Sequence, residues 1–379
     1  MAKKQSRNSL CTQRNMLIQE PYLQPISPAI SDTIKPHKLW MPKRVVFTPE
    51  ALDEPFGQQI FERVSNLSLP IEILKNNRLT NLRGEDEKET YRLSKTTMAV
   101  VIAPPSAMKL QPIPPSADWQ FHLAQGCPAH CQYCYLAGSL AGPPVVRVFA
   151  NLPSILENTL QYIDPNKDTS FEASCYTDPL SIEHLTGSLA ECIRFFGEQQ
   201  RGRLRFVTKF DNTEPILHLP HNKHTRWRFS LNAETISRRL EGGTASIQQR
   251  LKAMRSAALP TEQGGGYPIG AVIAPIMPVP DWKEIYTGLL DNMQQHLDFN
   301  PDLTFELISH RFTPGSKDVL MGWYPNTSLD MSEEKRSVKR NKFGGVKYVY
   351  TKDIMQELRS FFESEIRQRF PQAKILYWT

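Results

Sequence analysis

The stretch Gly126-Cys127-Pro128-Ala129-His130-Cys131-Gln132-Tyr133-Cys134-Tyr135 places three cysteines within eight residues, in the spacing Cys-x3-Cys-x2-Cys. The chain of 379 residues has six cysteines, so half of them lie in this stretch. Thiolates are soft ligands that bind iron–sulfur clusters, zinc or Cu(I). Iron–sulfur clusters usually take four cysteines, so three cysteines leave one iron of a [4Fe–4S] cluster open to another ligand. The spacing therefore predicts a metal centre with an open coordination position.

A zinc site is the alternative for these cysteines, completed by His130, His122 or Cys175. No second Cys-x2-Cys pair and no His-x3-His pair supports it. Six cysteines are also too few and too clustered for a disulfide scaffold in a chain of this length. The clustering indicates a metal site in a reducing compartment.

From Ser116 onward, predicted strands alternate with predicted helices. Apolar runs bounded by turn residues predict six strands, at residues 119–124, 170–175, 204–209, 226–231, 269–275 and 303–310. Strands that alternate with helices indicate an α/β fold with a parallel sheet. Six units are too few for the closed eight-stranded barrel, and a partial (β/α)6 barrel fits the count.

The chain divides into four predicted segments. Residues 1–39 are polar and basic and are predicted to be a disordered tail. Residues 40–115 are predicted to form a small α/β domain, which ends in a proline-rich stretch that marks a boundary. Residues 116–313 form the predicted barrel, and residues 314–379 a basic hairpin followed by a C-terminal helix and strand.

The composition indicates a globular protein outside the membrane. Hydrophobic residues make up 40% of the chain and charged residues 22%, which is ordinary for soluble proteins. The net charge of +6 permits nucleic-acid binding without arguing for it. No apolar stretch has the length of a spanning helix, and none has the form of a signal peptide. We therefore predict a cytoplasmic protein.

Cys175 lies at the C-terminal end of the second predicted strand, the end that faces the active site in parallel (β/α) barrels. A protonated thiol there has an S–H bond weak enough to give a hydrogen atom to a carbon radical. Position alone also fits a buried cysteine that acts as a small hydrophobic residue. The residues themselves leave both interpretations open.

Several blocks of sequence carry a resemblance to a known family. The cysteine spacing, with an aromatic residue before the last cysteine, resembles the signature of radical S-adenosylmethionine (AdoMet) enzymes. Further blocks, in order along the chain, resemble the spore photoproduct lyase family within this class. These blocks include Arg147–Leu152, Phe171–Cys175, Leu204–Lys209, Thr225–Ser230, Phe305–Thr313 and Lys347–Tyr350.

The resemblance implies a [4Fe–4S] cluster and AdoMet as cofactors, with Cys127, Cys131 and Cys134 as the cluster ligands. It also implies that Cys175 is the hydrogen-donating cysteine. Tyr133 and Tyr135 match the tyrosines that relay a hydrogen atom back to the cofactor radical and so regenerate AdoMet. Aromatic packing near the cluster is the alternative role for both tyrosines.

Other candidate residues follow the ends of the predicted strands. Thr177, Lys209 and Ser230 are candidates for AdoMet binding, the lysine through the carboxylate of the cofactor. Arg311 ends the sixth strand and has the geometry to bind a phosphate. Each of these positions is also compatible with a solvated side chain.

Lys342 and Phe343, in the basic segment after residue 335, are the remaining candidates for substrate binding. The lysine would contact phosphates, and the ring would help to extrude a damaged base. The resemblance leads us to expect an arginine followed by a tyrosine here, so this pair departs from the family pattern. The Gly-Gly-Glu element of the class is also not evident after the second strand.

The resemblance implies a carbon–carbon lyase that reverses the 5-thyminyl-5,6-dihydrothymine lesion to two thymines without light. Ultraviolet-damaged DNA would be its substrate and a flavodoxin or ferredoxin its reductant, with the chain acting as a monomer. One alternative is a related radical AdoMet enzyme with a different nucleic-acid or small-molecule substrate. A second alternative is a non-catalytic iron–sulfur or zinc-binding protein.

Overall fold

A computed structural model describes residues 35–140, 142–340 and 345–379. Two predicted substrate contacts, Lys342 and Phe343, lie outside these residues, as does most of the predicted tail. In the described ranges, no helix combines the length and the apolar character needed to cross a membrane.

The strands extend from the N-terminal region to the last residues of the chain. In chain order they are β1 (Arg44–Phe47), β2 (Ile71–Ile73), β3 (Thr97–Val101), β4 (Gln111–Ile113), β5 (Ala117–Phe121), β6 (Ala124–Gln125), β7 (His130–Cys131), β8 (Val146–Phe149), β9 (Thr169–Ala173), β10 (Gly202–Thr208), β11 (Thr225–Leu231), β12 (Glu241–Gly242), β13 (Ile269–Ile276), β14 (Leu303–Ser309), β15 (Ser337–Arg340), β16 (Val346–Val349) and β17 (Lys374–Trp378).

The α-helices connect these strands and cover the sheets. They are α1 (Pro49–Asp53), α2 (Pro55–Asn66), α3 (Glu87–Lys95), α4 (Leu152–Thr159), α5 (Glu183–Thr186), α6 (Ser188–Glu198), α7 (Glu234–Leu240), α8 (Ile247–Ala258), α9 (Trp282–His296), α10 (Pro314–Trp323) and α11 (Lys352–Arg369). The sequence predicts one helix over 181–199, but the structure divides this segment at Gly187. This residue has a φ of +68°, in the left-handed region that ends helices.

The larger sheet has the strand order β17-β14-β13-β11-β10-β9-β5-β4. All neighbouring strands are parallel except β4, which is antiparallel to β5. The six predicted strands are β5, β9, β10, β11, β13 and β14, and they lie side by side in chain order. The prediction of a partial (β/α)6 barrel is therefore confirmed, with β17 and β4 added at its edges.

A buried charged network lies across the curled face of this sheet. The guanidinium of Arg228 on β11 is 2.8 Å from Glu306 on β14 and also contacts Glu172 on β9, each two strands away. Arg228 further donates to the hydroxyl of Ser116, beyond β9, at 3.2 Å. One side chain can contact strands this far apart only if the sheet curls around it. The concave face is thus polar at this level, whereas apolar side chains such as Trp227 fill the opposite face.

The smaller sheet has the order β2-β1-β3-β8-β6. Its first four strands are parallel, and β6 is antiparallel to β8. Two of its strands, β6 and β8, come from residues beyond 116, and β4 joins the larger sheet from before it. The hydrogen bonds of both sheets therefore cross the predicted limit between 115 and 116, and the domain limits stay a prediction.

Local sequence explains where two of the helices around the site begin. Ser246 and Gln249 form a capping box at the start of α8, in which each side chain bonds the backbone of the other residue. Thr313 and Ser316 form the same box at the start of α10, where Pro314 occupies the first helical turn. These caps fix the helices that follow β12 and β14, so they also fix the loops at the C-terminal ends of those strands.

Candidate active site

The predicted site residues gather at one edge of the larger sheet. Cys175 and Thr177 follow β9, Lys209 follows β10, Ser230 lies near the end of β11, and Arg311 follows β14. The cysteine loop follows β5 and β6, so it begins at the same edge. In sheets of this kind, the carboxyl ends of the parallel strands are where ligands bind.

The backbone of the cysteine loop is held on both sides. Gly126 has a φ of +82°, and a Cβ at this position would lie 2.2 Å from the carbonyl oxygen of Val145. Only glycine fits there, and its N–H donates to Tyr176 at 2.7 Å. Further along, β7 pairs with β12, with Cys131 opposite Glu241. The loop is therefore anchored to the turn that carries Cys175 and to the strand after α7.

The thiols of the loop are half-buried and close enough to influence one another. Burial, with a smaller contribution from neighbouring thiols, raises the pKa of Cys127 and of Cys131 to about 12. Iron binding has to displace these protons, which a bound cation favours. In the described ranges, no three His, Cys, Asp or Glu side chains converge on a single-ion site. The cluster ligands stay a prediction; in a cluster, unlike a single-ion site, each of the three cysteines would bind a different iron.

Cys175 is presented by a strained turn. Ser174 has a φ of +59°, which is rare for a residue with a side chain, and its hydroxyl accepts from the N–H of Leu123 at 2.8 Å. Burial, together with the Glu172 carboxylate, raises the pKa of the Cys175 thiol well above its ordinary value. The thiol therefore keeps its S–H proton at neutral pH. The hydroxyl of Tyr135 donates to the carbonyl of Cys175 itself.

Tyr133 belongs to a separate network. Its hydroxyl donates to Glu241 and accepts from the ammonium of Lys209 at 2.5 Å. The ammonium also pairs with Glu241 at 2.7 Å, and Arg250 pairs with the other carboxylate oxygen at 2.6 Å. Lys209, predicted to bind the AdoMet carboxylate, is thus held by Glu241 in this structure. Sequence reasoning missed Glu241 and Arg250, because a glutamate in a turn and an arginine in a helix usually lie in solvent.

Replacing Glu241 by glutamine is expected to lower the free energy of unfolding by about 3 kcal/mol or more. The carboxylate and the Arg250 guanidinium are both fully buried, so the variant leaves an unpaired charge inside the protein. Urea unfolding at pH 7 measures the effect. Glu363→Gln removes the exposed pair with Arg359 and serves as the control, with an expected change of about 1 kcal/mol or less.

The ion pair between Glu241 and Arg250 also predicts how the stability of the protein changes as the pH falls. Burial alone would raise the pKa of Glu241, but Arg250 and Lys209 outweigh it and lower the pKa to about 2. A depressed folded-state pKa contributes stability that is complete above the ordinary value and is lost as the pH falls toward 2. The difference in unfolding free energy between wild type and Glu241→Gln should therefore shrink with acidification, and a constant difference from pH 7 to pH 3 would contradict the assignment.

The turn after β9 offers polar groups to a ligand. The hydroxyl of Thr177 is buried and has no hydrogen-bond partner in the described structure, and such groups cost stability unless a ligand binds them. Asp178 accepts from the hydroxyl of Thr208 at 2.8 Å and from the N–H of Lys209 at 2.7 Å. Ser230 is buried on β11. These groups fit a cofactor rich in hydroxyl, amino and carboxylate groups, but their role in binding stays a prediction.

Arg311 lies beside a basic hairpin formed by β15 and β16. The hairpin is attached by the bridge between Phe312 and Tyr348, and Lys339 stands directly opposite Lys347. Burial lowers the pKa of Lys347, and the charges of Arg311 and Lys339 lower it further. Like charges opposite each other on a hairpin are unfavourable, so the three cations form a site where an anion would be stabilising. The two residues predicted at the tip, Lys342 and Phe343, are outside the described residues.

A polar half-barrel that carries a three-cysteine loop at the carboxyl ends of its strands defines the chain as a radical AdoMet enzyme by class. A family profile described as spore photoproduct lyase matches residues 40–379. This chain is 40% identical over 347 residues to the spore photoproduct lyase of Geobacillus sp. (strain Y412MC61), with 90% of this chain and 100% of the relative covered. The chain belongs to the spore photoproduct lyase family.

Other comparisons agree. The spore photoproduct lyase of Bacillus subtilis (strain 168) is 38% identical over 345 residues, which cover 90% of this chain and 99% of the relative. Among solved structures, a spore photoproduct lyase double mutant with bound AdoMet and dinucleoside spore photoproduct has a TM-score of 0.85 at 38% identity. A spore photoproduct lyase complexed with dinucleoside spore photoproduct has a TM-score of 0.84. Both alignments cover 90% of this chain and 100% of the solved chain.

Proposed function

We propose that this protein is a radical AdoMet enzyme that repairs spore photoproduct in DNA, with carbon–carbon lyase activity. The observation that carries the proposal is the position of Cys175, which follows β9 at the carboxyl-end edge of a polar half-barrel and whose carbonyl accepts from Tyr135 of the cysteine loop. The family membership supports the reaction class, because relatives whose alignments cover 90% of this chain carry the name spore photoproduct lyase.

Different residues of this chain would bind the cluster and AdoMet. Cys127, Cys131 and Cys134 would hold a [4Fe–4S] cluster, and Thr177, Lys209 and Ser230 would contact AdoMet. When bound, the cluster and AdoMet would supply the one-electron chemistry that removes a hydrogen atom from the lesion. The protein then has to bind the lesion over the sheet edge, keep water away and deliver one hydrogen atom to the product radical.

Cys175 is the hydrogen donor in this proposal. Its S–H bond breaks as a C–H bond forms on the thymine product, and the unpaired electron remains on sulfur. The hydroxyl of Tyr135 bonds the backbone carbonyl of Cys175, and this proximity supports a role for Tyr135 in returning a hydrogen atom to the sulfur. Tyr133 is held by Glu241 and Lys209, and we assign it to the later step of the relay. The high pKa of the thiol supports this role, because a thiolate has no hydrogen atom to give.

Ultraviolet-damaged DNA is the proposed partner, and Arg311 and the hairpin of β15 and β16 would bind it. We further propose that the protein works as a cytoplasmic monomer and that a flavodoxin or ferredoxin supplies the electron. The basic hairpin supports the DNA contact, since cations that face one another are stabilised by phosphates.

The decisive experiment is anaerobic. The protein is reconstituted with iron and sulfide, then incubated with dithionite, AdoMet and a synthetic lesion dinucleotide. Mass spectrometry measures the thymine dinucleotide and 5′-deoxyadenosine. We expect both products, whereas 5′-deoxyadenosine without repair would point to the alternative of a different substrate. A loaded cluster that gives neither product would favour the non-catalytic metal-binding alternative.

Replacing Lys339 and Lys347 together by glutamine is expected to weaken DNA binding without lowering AdoMet cleavage. Each lysine that contacts a phosphate contributes about 1 to the slope of log Kd against log salt, so the double variant should reduce the slope by about 2. Fluorescence anisotropy with a labelled duplex at several salt concentrations measures the slope. Lys283→Gln, on α9 and paired with Glu357, is the control. An unchanged slope in the double variant would remove the hairpin from the DNA-binding surface.

A further inference from the structure

Lys95 brings a buried positive charge to the cysteine loop from outside the barrel. It is the last residue of α3, and only 7% of its surface is exposed. Its ammonium donates to the carbonyl oxygen of Cys127 at 2.5 Å and also to that of Ala129. The lysine thus closes the turn between the first two cysteines by binding both ends of Cys127–Ala129.

Among the described residues, no carboxylate neutralises the charge of Lys95. In the described part of the chain its ammonium takes part in no ion pair; the ring of Tyr91 lies 5.6 Å away, and the charge of the ammonium also acts on Cys127 and His130. Lys209, a partly buried lysine that contacts Tyr133 of this loop, is paired with Glu241. A buried ammonium without a carboxylate is costly, and such a charge is retained where a ligand supplies the negative charge. The cysteine loop would supply it as thiolates on a cluster.

We propose that Lys95 is a positioning residue that orders the turn Cys127–Ala129 and raises the reduction potential of the cluster. The inference rests on the proposed function, because it requires that Cys127, Cys131 and Cys134 hold the cluster. Reduction adds one negative charge to a site that already carries three thiolates. A fixed positive charge in a poorly solvated position stabilises the reduced form more than the oxidised form. Net charge, hydrogen bonding and solvent exposure are the factors that set cluster potentials.

Two substitutions separate the charge from the hydrogen bonds. In Lys95→Gln the amide keeps N–H donors for the two carbonyls and loses the charge, whereas Lys95→Arg keeps the charge. Lys88→Gln removes the same charge from an exposed position on the same helix and is the matched control. Each protein is reconstituted anaerobically and titrated with dithionite without AdoMet, and the reduced cluster is quantified by electron paramagnetic resonance.

We expect Lys95→Gln to lower the ratio of reduced to oxidised cluster at a fixed potential by about tenfold, a shift of about 59 mV for one electron. Lys95→Arg and Lys88→Gln should titrate as wild type does. A wild-type potential in Lys95→Gln would overturn the proposal. If Lys95→Gln assembles no cluster but Lys95→Arg does, the need for the charge is supported.

Loss of the cluster in both variants would mean that only the shape of lysine matters, which also overturns the proposal. These outcomes are distinct from failure of the proposed function. If the wild-type protein takes up no iron–sulfur cluster, the proposed function and this inference fail together. A wild-type cluster that forms without repairing the lesion contradicts the proposed function alone and leaves this inference open to the same titration. A loaded, reducible wild-type cluster with no effect of Lys95→Gln would overturn this inference alone.

Discussion

The Cys175→Ala variant is expected to cleave AdoMet normally and to lose clean repair. Formation of two intact thymines should fall by about tenfold or more, a loss of at least about 1.4 kcal/mol of transition-state stabilisation for the quenching step. The reason is that hydrogen donation follows breakage of the bridge between the thymines, so earlier steps do not need the thiol. The unquenched product radical then reacts with other molecules in solution, and by-products appear.

The measurement is a product profile by mass spectrometry, with 5′-deoxyadenosine counted beside thymine dinucleotide and its adducts. Cys192→Ala is the control, because Cys192 is a fully buried thiol on α6 that packs in the hydrophobic core. It should lower stability and leave the product ratio unchanged. Unchanged clean repair in Cys175→Ala would remove Cys175 from the mechanism and return it to the role of a small buried residue.

The sheet could be predicted because its strands are buried apolar runs of ordinary length between turn residues. β10 and β11 are examples, since Phe206, Trp227 and Phe229 face the helices and are fully buried. The position of Cys175 followed from the same logic, as it comes two residues after the end of β9. The strand β8 was not predicted, because its short alternating stretch resembles a half-exposed edge. It is instead an inner strand of the smaller sheet.

The electrostatic partners of the site could not be predicted from the sequence. Glu241 lies 32 residues after Lys209 and 108 after Tyr133, and no periodic pattern links the three positions. Arg250 occupies a helix position that is buried only because α8 covers the end of β11. Lys95 reaches the cysteine loop from a charged helix whose sequence indicates a surface. Such contacts depend on how elements pack, which local patterns do not encode.

The Cys134→Ala variant is expected to abolish all cofactor chemistry while the chain remains folded. With two thiols left, the affinity for the cluster should fall by more than about a hundredfold, since even changes around metal ligands cost 10–100-fold. Formation of 5′-deoxyadenosine should then fall by more than about a thousandfold. The fold should persist, because Cys134 is half-buried and the sheets have their own apolar core.

Iron and sulfide analysis, electron paramagnetic resonance and circular dichroism measure these effects together, with Cys192→Ala as the control that keeps the cluster. Zinc is assayed in anaerobically purified wild type, because stoichiometric zinc in place of iron would support the binding-protein alternative. A Cys134→Ala protein that holds a full cluster and cleaves AdoMet would exclude Cys134 as a ligand. The third protein ligand of the cluster would then have to come from another residue, and the cysteine loop alone would not account for the cluster.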